Sequence, residues 1–202
     1  MVIYPEGLDN LGKIKEGKSP EQEIWIDVGA GDKPVGWVPE LLLRLKDKKI
    51  IYIAIDIQKE ALLRNKEWLE GHKSENIYYA LINAEAIPVE DDFCDQVFLA
   101  NFLGDPKISP GTKSQVLKEC YRILKPGGYL NIIERYTPPS KEKTKKDIEE
   151  MGFQFLKDAT NEVGKVRFID APEKEPEEKE EGSKAFWNPE NDFYLIFQKP
   201  EN

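Results

Sequence analysis

Residues 24–33 read Ile-Trp-Ile-Asp-Val-Gly-Ala-Gly-Asp-Lys, an apolar run that ends in an acid and is followed by two closely spaced glycines. This pattern predicts a buried strand that leads into a tight turn and a helix, where backbone N–H groups can face a ligand. Asp27, at the end of the strand, would repel a phosphate but suits a ligand that carries an ammonium or sulfonium group. The stretch therefore predicts a ligand site at the carboxyl end of this strand.

Composition limits the class of protein. The 202 residues are 40% hydrophobic, which is enough for one complete core, and no apolar run approaches the roughly 20 residues of a membrane helix. The N-terminal residues have neither the basic start nor the apolar stretch of a secretory signal. Cys94 and Cys120 lie far apart in ordinary segments, so neither a disulfide nor a metal site is predicted. We expect a cytoplasmic protein without a membrane segment.

The charge balance bears on the partner. The net charge is −9 and the pI is about 4.9, whereas phosphate contacts require clustered Lys and Arg. The lysines of residues 141–146 form one basic cluster, but a glutamate and a helical pattern there indicate a solvated face. The charge therefore favours a small-molecule or protein substrate over nucleic acid, and nothing indicates the oligomeric state.

Strand and helix patterns alternate through residues 23–134. The apolar runs that predict strands lie at 23–28, 50–55, 77–82, 96–100 and 129–134. Helical patterns lie between them at about 34–45, 59–70 and 113–124. Such alternation implies a parallel sheet with right-handed crossovers.

The ends of the chain differ from this central part. Residues 1–22 show little periodicity and predict an N-terminal arm, followed by one domain over residues 23–202. After a helix at 141–151, short strands are predicted at 153–156, 165–169 and 193–198. Residues 172–184 are dense in Glu, Lys and Pro and cannot bury enough apolar surface to order themselves. We expect this segment to be a mobile acidic insertion.

Four segments together carry a resemblance to a known family. They are Ile-Asp-Val-Gly-Ala-Gly at 26–31, Ile-Ala-Ile-Asp at 53–56, the acidic segment at 83–97, and Glu-Cys-Tyr-Arg-Ile-Leu-Lys-Pro-Gly-Gly-Tyr-Leu at 119–130. Their order and spacing resemble the class I S-adenosylmethionine-dependent methyltransferases of the small-molecule-like type. The resemblance implies a Rossmann-like α/β fold, with a seven-stranded, mostly parallel sheet, helices on both faces and an antiparallel last strand. It also implies S-adenosylmethionine as cofactor and methyl transfer as activity.

The same resemblance implies roles for residues at the first two strand ends. Gly29, Ala30 and Gly31 would line the methionine part of the cofactor, because the small residues let the backbone approach closely. Asp27 would help to hold the methionine amino group. Asp56 would accept hydrogen bonds from the two ribose hydroxyls, for which a carboxylate with two oxygens is suited.

Further roles follow for residues at the next strand ends. Ile57 would pack on the adenine. Three residues would lie at the adenine edge: Asn83, Ala84 and Glu85. Asn101 and Phe102 would contact the methionine end and the incoming acceptor. Residues 101–106 lack the Asn-Pro-Pro-aromatic signature of enzymes that methylate exocyclic amines of bases, which again disfavours a nucleic-acid target.

Alternatives to these roles remain open. Gly29 and Gly31 could form a turn without a ligand, Asp56 could be a helix N-cap, and Asn101 could be an ordinary loop residue. No catalytic residue is assigned, because the sulfonium already activates the methyl group and alignment supplies much of the rate. Three acids or phenols near the expected mouth could serve as a base: Asp105, Glu134 and Tyr136.

Two other functions compete with methyl transfer. A dinucleotide-dependent dehydrogenase also has glycines after a strand and an acid after the second strand, but it needs a small residue where this chain has Pro34. A methyltransferase-like binding protein that acts through a partner is the second, since Lys33 and Pro34 replace the family's usual third glycine. Retention of Asp27 and Asp56 favours a working cofactor site.

Overall fold

The computed structural model describes residues 2–3, 11, 14, 17–32, 49–69, 76–135, 139–163 and 192–201. The strands within this part of the chain are β1 Val2–Ile3, β2 Glu23–Val28, β3 Ile50–Asp56, β4 Ile77–Leu81, β5 Cys94–Ala100, β6 Leu124–Glu134, β7 Gln154–Asp158 and β8 Phe193–Gln198. The helices whose bounds lie within it are α1 Lys59–Leu69, α2 Pro110–Ile123, α3 Lys141–Glu149 and α4 Thr160–Val163, and the described residues Leu11, Ile14 and Gly17 are also helical. The helix expected at 34–45, the strand expected at 165–169, the insertion at 172–184 and Tyr136 lie outside the described residues.

All the described strands join one sheet in the order β1-β4-β3-β2-β5-β6-β8-β7. Strands β1 to β6 pair in parallel, and β8 runs antiparallel to both β6 and β7. Seven strands with an antiparallel last strand confirm the fold expected from the sequence, and the two-residue β1 extends the edge beside β4. Because the chain moves from β2 to β3 and β4 and then returns to β5, the order reverses between β2 and β5. Ligands of open α/β sheets bind at the carboxyl ends of such strands.

Both faces of the sheet are covered. One face of β2 and β3 packs into a core with α2 and α3, through side chains such as Ile26, Ile53, Leu117 and Ile148. The opposite face packs with α1 through a smaller cluster that contains Tyr52, Leu62 and Leu69. All seven residues of β3 are buried, as expected of a parallel strand with helices on both sides. The helices on both faces are therefore confirmed.

Two boundaries near α2 differ from the sequence prediction. The helix begins at Pro110 rather than at 113, because Ser109 caps it by accepting a hydrogen bond from the Thr112 N–H at 3.1 Å. Strand β6 begins at Leu124, directly after the helix, whereas a turn was predicted at 125–128. Its pairing with β5 shifts between Cys94 and Gln96, so residues 125–128 form an irregularity at the start of the strand. None of the described helices is both long and apolar enough to cross a membrane.

Candidate cofactor site

The glycine turn after β2 lies at the point where the strand order reverses. Gly29 has φ +67° and Gly31 has φ +60°, values that residues with a Cβ rarely adopt. A Cβ on Gly29 would lie 3.1 Å from Cδ2 of Phe102, whereas a Cβ on Gly31 would meet nothing nearer than the Gly29 carbonyl oxygen at 4.0 Å. The turn thus requires the two glycines for its backbone, and Phe102 closes one side of it.

Asp56 ends β3 beside this turn. Its Oδ2 accepts a hydrogen bond from the Gly31 N–H at 2.9 Å, and its Oδ1 accepts from the Gln58 N–H at 2.8 Å. Helix α1 begins only at Lys59, so both bonds go to loop N–H groups that precede it. Each carboxylate oxygen has a further lone pair, and the residue is 9% exposed. Asp56 can therefore hold the turn and accept from a hydroxyl pair of a ligand.

Asp27 is buried in the middle of the sheet, one residue before Val28 ends β2. Its Oδ2 accepts a hydrogen bond from the Tyr52 hydroxyl of β3. A buried carboxylate this close to the turn favours a cationic group in a ligand that binds at the turn. Sequence reasoning missed Tyr52, although a phenol within the aliphatic run of β3 was a signal that some polar partner lies nearby.

Asn65 of α1 was also missed. It is fully buried, and its Nδ2 donates to the carbonyl oxygens of Ala30 at 3.3 Å and Gly31 at 3.4 Å. The Ala30 N–H in turn donates to the Ile55 carbonyl oxygen at 3.0 Å. The signal in the sequence was an amide on the helix face that also carries Leu62. Contacts from α1 and β3 therefore fix the turn from two sides.

The residues expected at the adenine side lie next to Asp56. Ile57 is 67% exposed, which leaves an apolar surface free to pack on a flat ring. The Ile82 N–H donates to the Asp56 carbonyl oxygen at 3.0 Å and so joins the ends of β3 and β4. Beyond it, the Glu85 N–H donates to Oδ1 of Asn83 at 2.9 Å, and the loop around Ala84 is a tight turn. The structure therefore brings these residues to the same edge of the sheet as Asp27 and Asp56.

A charged pair on α2 holds the loop that continues from this turn. Arg122 donates to the carbonyl oxygens of Ile87 and Val89, both at 2.7 Å, and to Asp91 at 2.9 Å. Glu119 accepts from the Ile87 N–H at 2.9 Å, and its hydrogen bonds with Arg122 lower the pKa of its carboxyl. The Glu-Cys-Tyr-Arg part of the fourth motif therefore fixes residues 87–91 from the helix side.

Replacing Arg122 by methionine should lower the free energy of unfolding by about 2–3 kcal/mol, because carbonyl oxygens and carboxylates lose a charged donor. The melting temperature should fall by about 4–12 °C for a domain of this size. Differential scanning calorimetry measures it, with Lys118→Met on an exposed position of the same helix as the control. Equal melting temperatures for the two variants would show that the pair does not hold the loop.

The ends of β5 and β6 form the side of the glycine turn that faces away from β3. Asn101 has φ +54°, its N–H donates to the Ile133 carbonyl oxygen at 2.7 Å, and its Oδ1 accepts from the Arg135 N–H at 2.8 Å. Asn101 itself is exposed and Phe102 is buried against the turn. The two residues therefore follow the carboxyl end of β5, with Phe102 beside the glycine turn; their contact with a ligand stays a prediction.

The three candidate bases lie in different surroundings. Asp105 is partly exposed and accepts from the Lys107 N–H at 2.8 Å. Glu134 is fully buried beneath the loop that follows β5 and accepts hydrogen bonds from two of its N–H groups, so it does not face the mouth. Tyr136 lies outside the described residues. The structure thus separates Glu134 from the position of a general base.

This geometry can be compared with known proteins. A family profile described as a methyltransferase domain matches residues 26–132, which is more than half of the chain. The chain belongs to the methyltransferase domain family. Its motifs and sheet order place it among the class I S-adenosylmethionine-dependent methyltransferases, whose cofactor is S-adenosylmethionine.

Two curated relatives and one solved structure illustrate the similarity. The ubiquinone/menaquinone biosynthesis C-methyltransferase UbiE of Pectobacterium atrosepticum is 38% identical over 40% of this chain and 28% of its own length. The enzyme of the same name from Vibrio parahaemolyticus is 27% identical over 69% of this chain and 51% of its own. The chain thus spans about half or less of the length of these two curated relatives.

The solved structure is a SAM-dependent methyltransferase from Methanosarcina mazei. It has a TM-score of 0.62 at 17% identity, and the match covers 100% of both chains. At this identity the likeness supports the fold alone.

Proposed function

We propose that this protein transfers a methyl group from S-adenosylmethionine to a small-molecule or protein acceptor. The observation that carries the proposal is the grouping of two acids around one glycine turn, with Asp27 buried below it and Asp56 bonded to Gly31. The residues that we propose to contact the cofactor are Asp27, Gly29, Ala30, Gly31, Asp56, Ile57, Asn83, Ala84, Glu85, Asn101 and Phe102.

The cofactor fits the chemistry of these residues. Its cationic methionine end suits the buried acid Asp27, its ribose suits the paired oxygens of Asp56, and its adenine suits the exposed side chain of Ile57. Gly31 supports room for a ligand at the turn, because among the described residues a Cβ placed there would meet nothing nearer than the Gly29 carbonyl oxygen at 4.0 Å. The buried carboxylate of Asp27 would repel a phosphate at the same place.

The residues of the chain then have to bind and orient. When bound, S-adenosylmethionine supplies a methyl group that its sulfonium already activates. The turn and Asp56 fix the position of the cofactor, while the loop that starts with Asn101 and Phe102 forms the side from which an acceptor approaches. Alignment of this kind supplies much of the rate of a group transfer.

The acceptor is the finer part of the proposal. Both curated relatives described above are named C-methyltransferases of ubiquinone and menaquinone biosynthesis, so carbon atoms of electron-rich aromatic rings are the first acceptor class to test. The net charge of −9 disfavours nucleic acid. The cytoplasmic location also stays a prediction.

Calorimetric titration of the purified protein with S-adenosylmethionine and S-adenosylhomocysteine is the test. We expect micromolar dissociation constants for both, equivalent to about −8 kcal/mol, and no measurable binding of NAD as the control. If the folded protein binds neither sulfur compound, the proposal fails, and the alternative of a binding protein that acts through a partner gains support. Binding followed by transfer of a labelled methyl group to a screened acceptor would establish the activity.

A further inference from the structure

The loop over residues 101–105 lies between the glycine turn and the end of β6. On one side Phe102 stands against Gly29, as the 3.1 Å distance from a Cβ on that glycine shows. On the other side the Asn101 N–H and Oδ1 are bonded to the backbone of Ile133 and Arg135. The loop is therefore joined to β6 on both sides of one residue, Glu134.

Glu134 itself makes the remaining connection. Its Oε1 accepts from the Leu103 N–H at 2.7 Å, and its Oε2 accepts from the Gly104 N–H at 2.9 Å. Both carboxylate oxygens are thus used by consecutive N–H groups of the loop, and the side chain is 0% exposed. A carboxylate accepts such bonds more strongly than a neutral group does.

Burial, hydrogen bonds and one nearby cation set the charge state of Glu134. Burial raises the pKa of its carboxyl to about 7, while the loop N–H groups and the Lys113 ammonium on α2 act to lower it. Arg135, the next residue, pairs with Asp192, just before β8, with Nε 3.7 Å from Oδ2. Among the described residues, Lys113 is the charged side chain that acts on the pKa of Glu134, and it lowers that pKa. The strength of the loop bonds therefore changes with protonation of this one group.

We propose that Glu134 is a positioning residue, which holds the 101–105 loop so that Phe102 covers the glycine turn on the side where the acceptor approaches. Its effect on cofactor binding rests on the function proposed above, whereas its hold on the loop does not. Burial disfavours the Glu134 carboxylate by more than the two N–H bonds favour it, so loss of the proton at high pH favours release of residues 103–104 from Glu134 and lowers the affinity for the cofactor.

Amide hydrogen exchange of the protein without ligand tests the hold on the loop. In the wild-type protein, protection of the Leu103 and Gly104 amides, corrected for intrinsic exchange, should fall at least threefold from pH 5.5 to pH 8, because the buried carboxyl keeps its proton more readily than an exposed one. In Glu134→Gln an amide NH2 faces one of the loop donors, so protection of both amides should fall at least tenfold and no longer depend on pH. Protection independent of pH in the wild-type protein would overturn the proposal even if the variant does not fold.

Glu119→Gln is the matched control, because Glu119 also accepts a loop N–H, that of Ile87. It should lower protection of Ile87 and leave Leu103 and Gly104 unchanged. Loss of protection at all three amides in either variant would indicate general destabilisation and would contradict the specific role of Glu134.

Titration with S-adenosylhomocysteine tests the link to the cofactor. Wild-type affinity should decrease at least threefold between pH 6 and pH 8, and Glu134→Gln should bind more weakly than the wild-type protein at pH 6 with a flat pH profile. If the wild-type protein binds no S-adenosylhomocysteine at any pH while the exchange results hold, the proposed function fails and the hold on the loop stands. If it binds with equal affinity at both pH values, the link from Glu134 to the cofactor is wrong.

Discussion

Replacing Asp56 by alanine should weaken the binding of S-adenosylmethionine and S-adenosylhomocysteine by tenfold or more. A hydrogen bond to a charged group contributes about 1.5–3 kcal/mol, and each 1.4 kcal/mol is about a factor of ten in affinity. Asp56 also accepts from the Gly31 N–H at 2.9 Å, so the variant loses a contact that fixes the turn as well as the proposed ribose contact. Isothermal titration calorimetry measures both dissociation constants.

Two further variants separate the contributions. Asp56→Asn keeps one carbonyl oxygen as acceptor and should lose less affinity than Asp56→Ala. Glu60→Ala removes an acidic charge from an exposed position at the start of α1 and should leave the affinity within about twofold, as surface substitutions usually do. An unchanged dissociation constant for Asp56→Ala would rule out the ribose contact.

The fold could be predicted from the sequence because its strongest signals are local. Strand β3 is buried along its whole length, and this appears in the sequence as an unbroken apolar run. Boundaries were less accurate where two kinds of signal competed. At Ser109 the capping side chain extends α2 by three residues toward the N-terminus, and at Leu124 pairing with Cys94 begins the strand before the glycines that indicated a turn.

The candidate site could be predicted only in part. The placement of Asp27 and Asp56 near one another could be predicted, because the carboxyl ends of parallel strands meet at one edge, while their contact with a cofactor stays a prediction. Tyr52 and Asn65 were missed because their roles depend on which strand and helix lie beside the turn. Glu134 was interpreted as a candidate base near the mouth, and the structure shows it buried under the adjacent loop. Sequence spacing gives strand ends, but it does not give contacts between loops.

Gly29→Ala should be the most disruptive single substitution in the turn, and Gly31→Ala is its matched comparison. Both glycines have positive φ, so alanine costs about 1–2 kcal/mol at either position. Only at Gly29 does the new Cβ also lie 3.1 Å from Phe102, and overpacking of this kind adds about 1–3 kcal/mol. Thermal unfolding should therefore show a drop for Gly29→Ala that exceeds that of Gly31→Ala by about 2–12 °C.

The same pair of variants tests whether Phe102 belongs to the cofactor site. Moving its ring away from Gly29 should weaken S-adenosylhomocysteine binding more than the backbone strain at Gly31 does. Adding Phe102→Leu to Gly29→Ala removes the ring that the new Cβ approaches, so part of the lost stability should return, with a coupling of about 0.5–3 kcal/mol in the double-mutant cycle. Strictly additive losses would mean that the turn and the ring act independently, and that the turn's requirement for glycine comes from its backbone alone.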